Sequence, residues 1–318
     1  MLRNKEEIRK FAEEVATIIA KERPDLEPKV GLMAKAGTTL TAIAFIKKEH
    51  AEGSISPQLY VEHFLDDEGV NDANEIARRM LVTYDNSIAD IFANNPIERA
   101  ANIYKSILPT DKIKDHLEVR LVSKSLSREL VENGPSRKFV NDLYIVPYLS
   151  LIEMEDGSKY CARFTYEMLK ESIFETEGEL IDAALICAEN KDKIYEEPMP
   201  PYIYLITNES KMYGASGICY KGVLDDVFED VGRENFYILP TSVHEVLVVP
   251  ESKADIKDLY MMVFTANSDP SAVRPEDVLS YNVYHYNGET KELTCPTANM
   301  GVADQMQYMY SRATGILN

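Results

Sequence analysis

The sequence has no tryptophan, and only four of its 318 residues are cysteines. The cysteines are widely separated, at Cys161, Cys187, Cys219 and Cys295. No two of them have the close spacing that holds zinc or performs thiol exchange, so these two kinds of site are excluded. We therefore expect reduced, mostly buried thiols.

Long apolar runs are also missing. Residues 146–152 are among the longest, and this run is interrupted by Pro147 and Tyr148. It is far shorter than the roughly 20 residues that a membrane-spanning helix needs. The first ten residues alternate charged and apolar side chains without a hydrophobic stretch or a small-residue cleavage site, so we expect no signal peptide and a cytoplasmic location.

Basic residues are few, because 34 Lys and Arg stand against 53 Asp and Glu, a formal net charge of −19. Such a chain repels phosphate backbones, which excludes direct, non-specific nucleic-acid binding. The charge is compatible with a basic protein partner, although many cytoplasmic proteins carry it for solubility alone. An acidic protein that mimics nucleic acid is a further alternative, and it would need its carboxylates concentrated on one face.

The N-terminal third predicts a helix, a small sheet and a second helix. Asn4 followed by Glu7 is a capping-box pattern, and the apolar spacing behind it predicts a helix to about Lys21. Strands are predicted at 29–36, 39–46 and 58–61, and a second helix at 72–94 that Pro96 closes. We therefore predict an N-terminal α+β unit over residues 1–106.

The remaining residues, 107–318, are predicted to form a larger C-terminal α+β unit. Predicted strands are 117–122, 143–152, 159–165, 203–207, 216–220, 236–239, 245–249 and a hairpin at 287–288, and predicted helices are 125–132, 177–189 and 223–231. Residues 196–201, which are rich in Glu and Pro, resemble an internal linker, although an extended connection inside one domain fits equally well. Because helices and strands are interspersed without βαβ alternation, the predicted class is α+β with mixed, largely antiparallel sheets.

Residues 208–250 carry the side chains most typical of a site. Tyr213, Ser216, His244 and Glu245 are weak catalytic candidates, with His244 as a general base. Each near-motif is incomplete: the serine lacks the spacing of a nucleophile elbow, and position 248 is Val where a zinc-binding helix needs a second His. No phosphate-binding, dinucleotide-binding or metal-ligand pattern is present, so we expect no cofactor and no metal.

Tyrosine is abundant, with 19 Tyr against 10 Phe. Tyrosine buries a ring while its hydroxyl stays hydrated, which suits protein contact surfaces. We predict a binding surface that includes Tyr213, His244, Tyr284 and Tyr308, and ordinary packing of the tyrosines remains the alternative.

Four segments carry a resemblance to a known family: 55–64 (ISPQLYVEHF), 142–146 (DLYIV), 213–216 (YGAS) and 236–250 (FYILPTSVHEVLVVP). Together they resemble the bacterial domain-of-unknown-function family 5688, over about residues 30–265. The resemblance implies a bacterial, cytoplasmic protein, and it implies no activity and no catalytic residue.

The sequence therefore favours a non-enzymatic binding or interaction protein. The alternatives are a hydrolase or transferase with His244 as general base, and an acidic nucleic-acid mimic.

Overall fold

The structure is a computed structural model, and it describes residues 4–48, 56–65, 72–94, 96–153, 159–199 and 202–300. The chain divides into two compact units. One contains residues 1–35 and 39–106, and the other contains residues 36–38 and 107–318. No described helix has the length and apolarity to cross a membrane.

The first unit packs helices on a three-stranded antiparallel sheet. Its elements are α1 (Lys5–Glu22), β1 (Leu26–Ala34), β2 (Thr39–Lys47), β3 (Gln58–Tyr60), α2 (Ala73–Asn94) and α3 (Pro96–Ile107), with a 3₁₀ turn at Val61–Phe64. The predicted capping box is present. Asn4 Oδ1 accepts from the Glu7 amide at 2.9 Å, and the Glu7 carboxylate accepts from the Asn4 amide. The core lies between α1, α2 and β2, where the Phe45 and Tyr84 rings stack at 4.5 Å.

Pro96 ends α2 as predicted, but it also begins α3, a helix that the sequence analysis missed. Proline suits the first position of a helix, because the amide it lacks would have no partner there. A new helix therefore begins at the residue that was predicted only to end the previous one.

The second unit contains two sheets. Its elements are β4 (Leu117–Ser123), α4 (Arg128–Glu132), β5 (Arg137–Val140), β6 (Leu143–Glu153), β7 (Lys159–Arg163), α5 (Tyr166–Glu171), α6 (Glu177–Lys191), β8 (Ile194–Met199), β9 (Ile203–Asn208), α7 (Val223–Asp230), β10 (Phe236–Leu239), β11 (Val246–Pro250), α8 (Ile256–Ser268), β12 (Tyr284–Asn287) and β13 (Glu292–Thr294). Every strand pair described is antiparallel, so the predicted α+β class is confirmed.

The four-stranded sheet is built around the long strand β6. β4 pairs along residues 143–149 of β6, while β5 and β7 pair near its two ends. Helix α6 packs against β4 and β6 through Leu180, Ile181 and Ala184. Residues 154–158, between β6 and β7, lie outside the described residues.

The six-stranded sheet has the order β13-β12-β10-β11-β9-β8. The linker predicted at 196–201 is wrong for residues 196–199, which belong to β8 and pair with β9. β8 lies at the edge of the sheet, where Pro198 is tolerated because an edge strand leaves half of its amides unpaired. Residues 200–201 lie outside the described residues.

Two further predictions differ from the structure. Residues 216–220 were predicted as a strand, but Gly214–Cys219 forms a 3₁₀ helix whose residues 214–218 are all buried. Continuous burial satisfies an apolar sequence in a short helix as well as in a strand, so periodicity could not distinguish them. Helix α8 was not predicted, and its Leu259, Tyr260 and Val263 pack against the six-stranded sheet.

Candidate functional site

The candidate site begins on one face of the four-stranded sheet. Side chains two residues apart on a strand share a face, so Glu118 and Arg120 of β4 point to the same side. The register places Glu118 opposite Tyr148 of β6, and Ser150 opposite Cys161 of β7. The intervening residues of β4 are apolar and face α6. This face of the sheet therefore carries a row of polar and aromatic side chains.

A rigid loop after β9 faces this row. The Asn208 side chain accepts hydrogen bonds from the Ser210 hydroxyl (3.0 Å) and the Met212 amide (3.2 Å), and donates to the Met212 carbonyl (3.0 Å). Lys211 and Tyr213 both have positive φ, at 53° and 57°. These bonds hold the loop in a conformation that non-glycine residues seldom adopt.

His244 lies behind Tyr213 and fixes it. The Tyr213 amide donates to Nδ1 of His244 at 3.2 Å, and the two rings are 5.5 Å apart. Since Nδ1 accepts, the proton of a neutral imidazole lies on Nε2, which is 3.4 Å from Oδ1 of Asp277. Burial would raise the pKa of Asp277, but bonds from His244 and Arg274 hold that pKa below its usual value.

Gly214 permits the close approach of these segments. A Cβ at this position would lie 2.5 Å from the Asn208 amide nitrogen and 2.7 Å from the His244 carbonyl oxygen. Because both atoms belong to the backbone, neither can move aside as a flexible side chain would. Only glycine therefore allows the loop and the His244 segment to pack together as they do.

Arg120 lies between the rings of Tyr148 and Tyr213. Its guanidinium carbon is 4.0 Å from the centre of the first ring and 3.6 Å from the centre of the second. Among the described residues, none makes a hydrogen bond or an ion pair with Arg120, and its Nε is buried without an acceptor. A buried donor left unpaired costs about 1–3 kcal/mol, so Nε of Arg120 is a donor that the described residues leave unsatisfied.

These elements enclose a cleft of about 240 Å³. We call it the Arg120 cleft, and it is lined by Glu118, Val119, Arg120, Lys159, Cys161, Asp192, Asn208, Ser210, Met212 and Tyr213. Lys159 Nζ is 2.7 Å from Glu118 Oε1, and 29% and 20% of their side-chain surfaces remain exposed. Burial alone would raise the pKa of Glu118, but the bond from Lys159 holds it below its usual value. The cleft therefore contains one ion pair already formed.

Two other groups in and beside the cleft keep their protons. Burial and the nearby Glu118 carboxylate raise the pKa of Cys161 to about 11, so the thiol is a poor nucleophile at neutral pH. Tyr220 donates its hydroxyl to Oδ2 of Asp192 at 2.7 Å, and burial followed by the Asp192 charge raises the pKa of Tyr220 strongly. Among the described residues, no group of His, Cys, Asp and Glu could hold a metal ion.

The structure brings two of the predicted site residues together and separates the others from them. Tyr213 and His244 are in contact, and Tyr213 lines the Arg120 cleft. Ser216 is 2% exposed, and its Oγ accepts from the Leu121 amide at 3.1 Å. The backbone oxygen of Glu245 accepts hydrogen bonds from Thr241 and Ser242 in the loop before β11. His244 lies in the loop before β11.

The predicted binding surface has two further members, Tyr284 and Tyr308. Tyr284 is 1% exposed, and its hydroxyl donates to Asp142 at 2.7 Å, so it belongs to the core and not to a surface. Along β12, Tyr284 and Tyr286 are buried while His285 and Asn287 are half-buried, so Tyr284 lies on the buried face of the strand. Tyr308 lies outside the described residues.

Sequence reasoning missed the residues that make the Arg120 cleft. The sequence signal was the alternation of Glu118 and Arg120 with apolar residues on a predicted strand, which indicates one polar face. Nothing in the sequence pairs that face with the loop before Tyr213, some ninety residues later. Only the packing of the two segments makes a site.

Comparison with known proteins gives a family and no activity. No curated protein and no solved structure matches the chain. A family match covers residues 161–288, a range that contains Tyr213, the His244 segment, Cys161 and Asp192. Glu118, Arg120 and Tyr148 lie before this range. The resembling segments at 55–64 and 142–146 also lie before it. Over residues 161–288, the chain resembles a family of unknown function (DUF5688).

Proposed function

We propose that this protein is a non-enzymatic binding protein that takes a small polar ligand into the Arg120 cleft. The observation that carries the proposal is the state of Arg120, a charged group stacked between two tyrosine rings with no hydrogen bond to any described residue. An arginine in this position is already ordered, so a ligand would bind without paying for its side-chain entropy.

The size of the cleft supports a small ligand. Pockets for drug-sized molecules are roughly 300–1,000 Å³, and the Arg120 cleft is about 240 Å³. A dinucleotide or an oligosaccharide exceeds this space. The mixture of charged, amide and hydroxyl side chains on its walls favours a polar molecule.

The geometry around His244 supports binding over the hydrolase or transferase alternative. A general base needs a free nitrogen within reach of the substrate proton. Nδ1 of His244 accepts from the Tyr213 amide, and Nε2 faces Asp277. The Ser216 hydroxyl is occupied in a similar way by the Leu121 amide. These groups therefore support the loop and Tyr213 in our proposal.

We also propose a cytoplasmic location. The four cysteines are free thiols, which suits a reducing compartment, and each is half-buried.

Isothermal titration calorimetry tests the proposed function with three probes, propionate, inorganic phosphate and β-alanine, each at millimolar concentration. We expect at least one probe to bind the wild type, and Arg120→Ala to weaken that binding by about ten-fold or more, or about 1.4 kcal/mol. Arg128→Ala is the matched control, because Arg128 is an exposed arginine of the same unit.

Thermal unfolding followed by circular dichroism confirms that both variants are folded. The proposal is overturned if none of the three probes binds, or if Arg120→Ala binds the probe as tightly as Arg128→Ala does.

A further inference from the structure

The charges of the Arg120 cleft fall into one pair and two single groups. Glu118 and Lys159 neutralise each other at 2.7 Å. Arg120 and Asp192 remain outside this pair, and neither forms an ion pair with a described residue, although Asp192 is close enough to Lys159 to help raise the pKa of that lysine. Arg120 attracts Glu118 over a longer distance, but that carboxylate is already held by Lys159. The cleft thus offers a ligand one positive and one negative group.

Two rings restrict how a partner can approach the guanidinium of Arg120. The ring centres of Tyr148 and Tyr213 lie 4.0 and 3.6 Å from the guanidinium carbon, which favours approach at the N–H groups. The N–H groups at its edge form a fork that fits the two oxygens of a carboxylate. The stacking therefore selects a planar anionic group over a hydroxyl.

Asp192 supplies the negative group of the Arg120 cleft. Its Oδ2 accepts the Tyr220 hydroxyl at 2.7 Å, and its other oxygen accepts from no described residue. Tyr220 keeps its proton because its pKa is raised, and this bond fixes the carboxylate in place. An ammonium group would supply both the missing charge and the missing donor.

Resting on the proposed function, we infer that the ligand of the Arg120 cleft is a small zwitterion, whose carboxylate pairs with Arg120 and whose ammonium pairs with Asp192. A simple anion would leave Asp192 unpaired in the cleft, and a multiply charged anion would meet one free cation beside two carboxylates. A zwitterion matches both groups and adds no net charge. The class includes free amino acids and their short homologues.

The test compares amino acids with analogues that lack one of the two charges. The probes are glycine, β-alanine and 4-aminobutyrate, each paired with the acid of the same chain length: acetate, propionate and butyrate. Propylamine supplies the ammonium alone. We expect one of the amino acids to bind about ten-fold or more tightly than its paired acid and than propylamine, as measured by titration calorimetry.

Two variants test whether Asp192 binds the ammonium and Arg120 binds the carboxylate of the ligand. Asp192→Asn keeps an oxygen for the Tyr220 hydroxyl but removes the charge, so we expect it to weaken the amino acid by about ten-fold and to leave the paired acid unchanged. Arg120→Lys keeps the charge but loses the fork, and it should weaken both probes. Asp226→Asn, at an exposed aspartate of α7, is the matched control and should change neither.

The outcomes separate the inference from the proposed function. If a paired acid binds as tightly as its amino acid, or if Asp192→Asn leaves the amino acid unaffected, the zwitterion is wrong while ligand binding at Arg120 stands. If none of these probes binds, the zwitterion is wrong, and the proposed function is wrong as well if inorganic phosphate also fails to bind.

Discussion

Tyr213 combines an unfavourable backbone with a functional side chain. Its φ of 57° and ψ of 23° place it in the left-handed region, which costs a non-glycine residue roughly 1–2 kcal/mol. The bond from its amide to His244 and the stacking on Arg120 offset this cost. His244 is therefore a positioning residue for the ring that covers one face of Arg120.

Substitution of His244 tests this role. We expect His244→Ala to weaken binding of the tightest probe by about ten-fold, because the Tyr213 amide loses its acceptor. His244→Asn should restore most of the affinity, since its amide oxygen can take the place of Nδ1. A general base would not be rescued by asparagine, so equal loss in the two variants would contradict the positioning role.

At the scale of elements, Asp142 ties the turn between β5 and β6 to the segment that leads into β12. Its carboxylate accepts hydrogen bonds from several side chains: Asn141, Ser123, Ser125, Ser280, Asn282 and Tyr284. Burial would raise the pKa of Asp142, but the bonds from Ser123, Tyr284 and Asn282 hold it below its usual value of 3.8. The ionised form therefore stabilises the fold.

The pH dependence of stability follows from the sign of this shift. The folded pKa is depressed, so the contribution is complete above pH 3.8 and is lost as the pH falls through the lower folded value. We expect Asp142→Asn to lower the free energy of unfolding by about 2–4 kcal/mol near neutral pH, since several charge-assisted bonds are lost. In acid, near the folded pKa, the difference between variant and wild type should shrink.

Urea unfolding at neutral and acidic pH measures both values. Asp182→Asn is the control, because Asp182 is exposed and pairs only at the surface with Arg137. A variant whose deficit is the same at both pH values would show that the Asp142 charge contributes nothing.

At the scale of the whole molecule, the chain forms two compact units that meet in sequence between residues 106 and 107. The prediction that these are domains implies that each unfolds with its own cooperativity. Asn4 caps α1 of the first unit, and replacing an N-cap asparagine with alanine costs about 1 kcal/mol.

We therefore expect two transitions in scanning calorimetry, with Asn4→Ala lowering the midpoint of one and Asp142→Asn lowering the midpoint of the other. The two substitutions lie in different units, so each serves as the control for the other. A single transition that both substitutions shift together would mean that the units are not independent domains.

The features that the sequence predicted are those set by near neighbours in the chain. The capping box at Asn4 depends on residues three apart, and the hairpin of β1 and β2 depends on alternation interrupted by a short loop. The helix α7 ends where predicted, before Gly232, whose φ of 88° requires glycine. The α+β class followed from the order of such elements.

Tertiary packing alone decided the rest. Residues 214–218 lie in a buried 3₁₀ helix and residues 196–199 pair with β9, and in both segments the local sequence pattern fits more than one structure. The Arg120 cleft joins a face of β4 to a loop far along the chain. Which of its charged side chains are already paired is seen only in the tertiary structure. Periodicity and capping act over a few residues, whereas a binding site depends on distances between segments that no local pattern records.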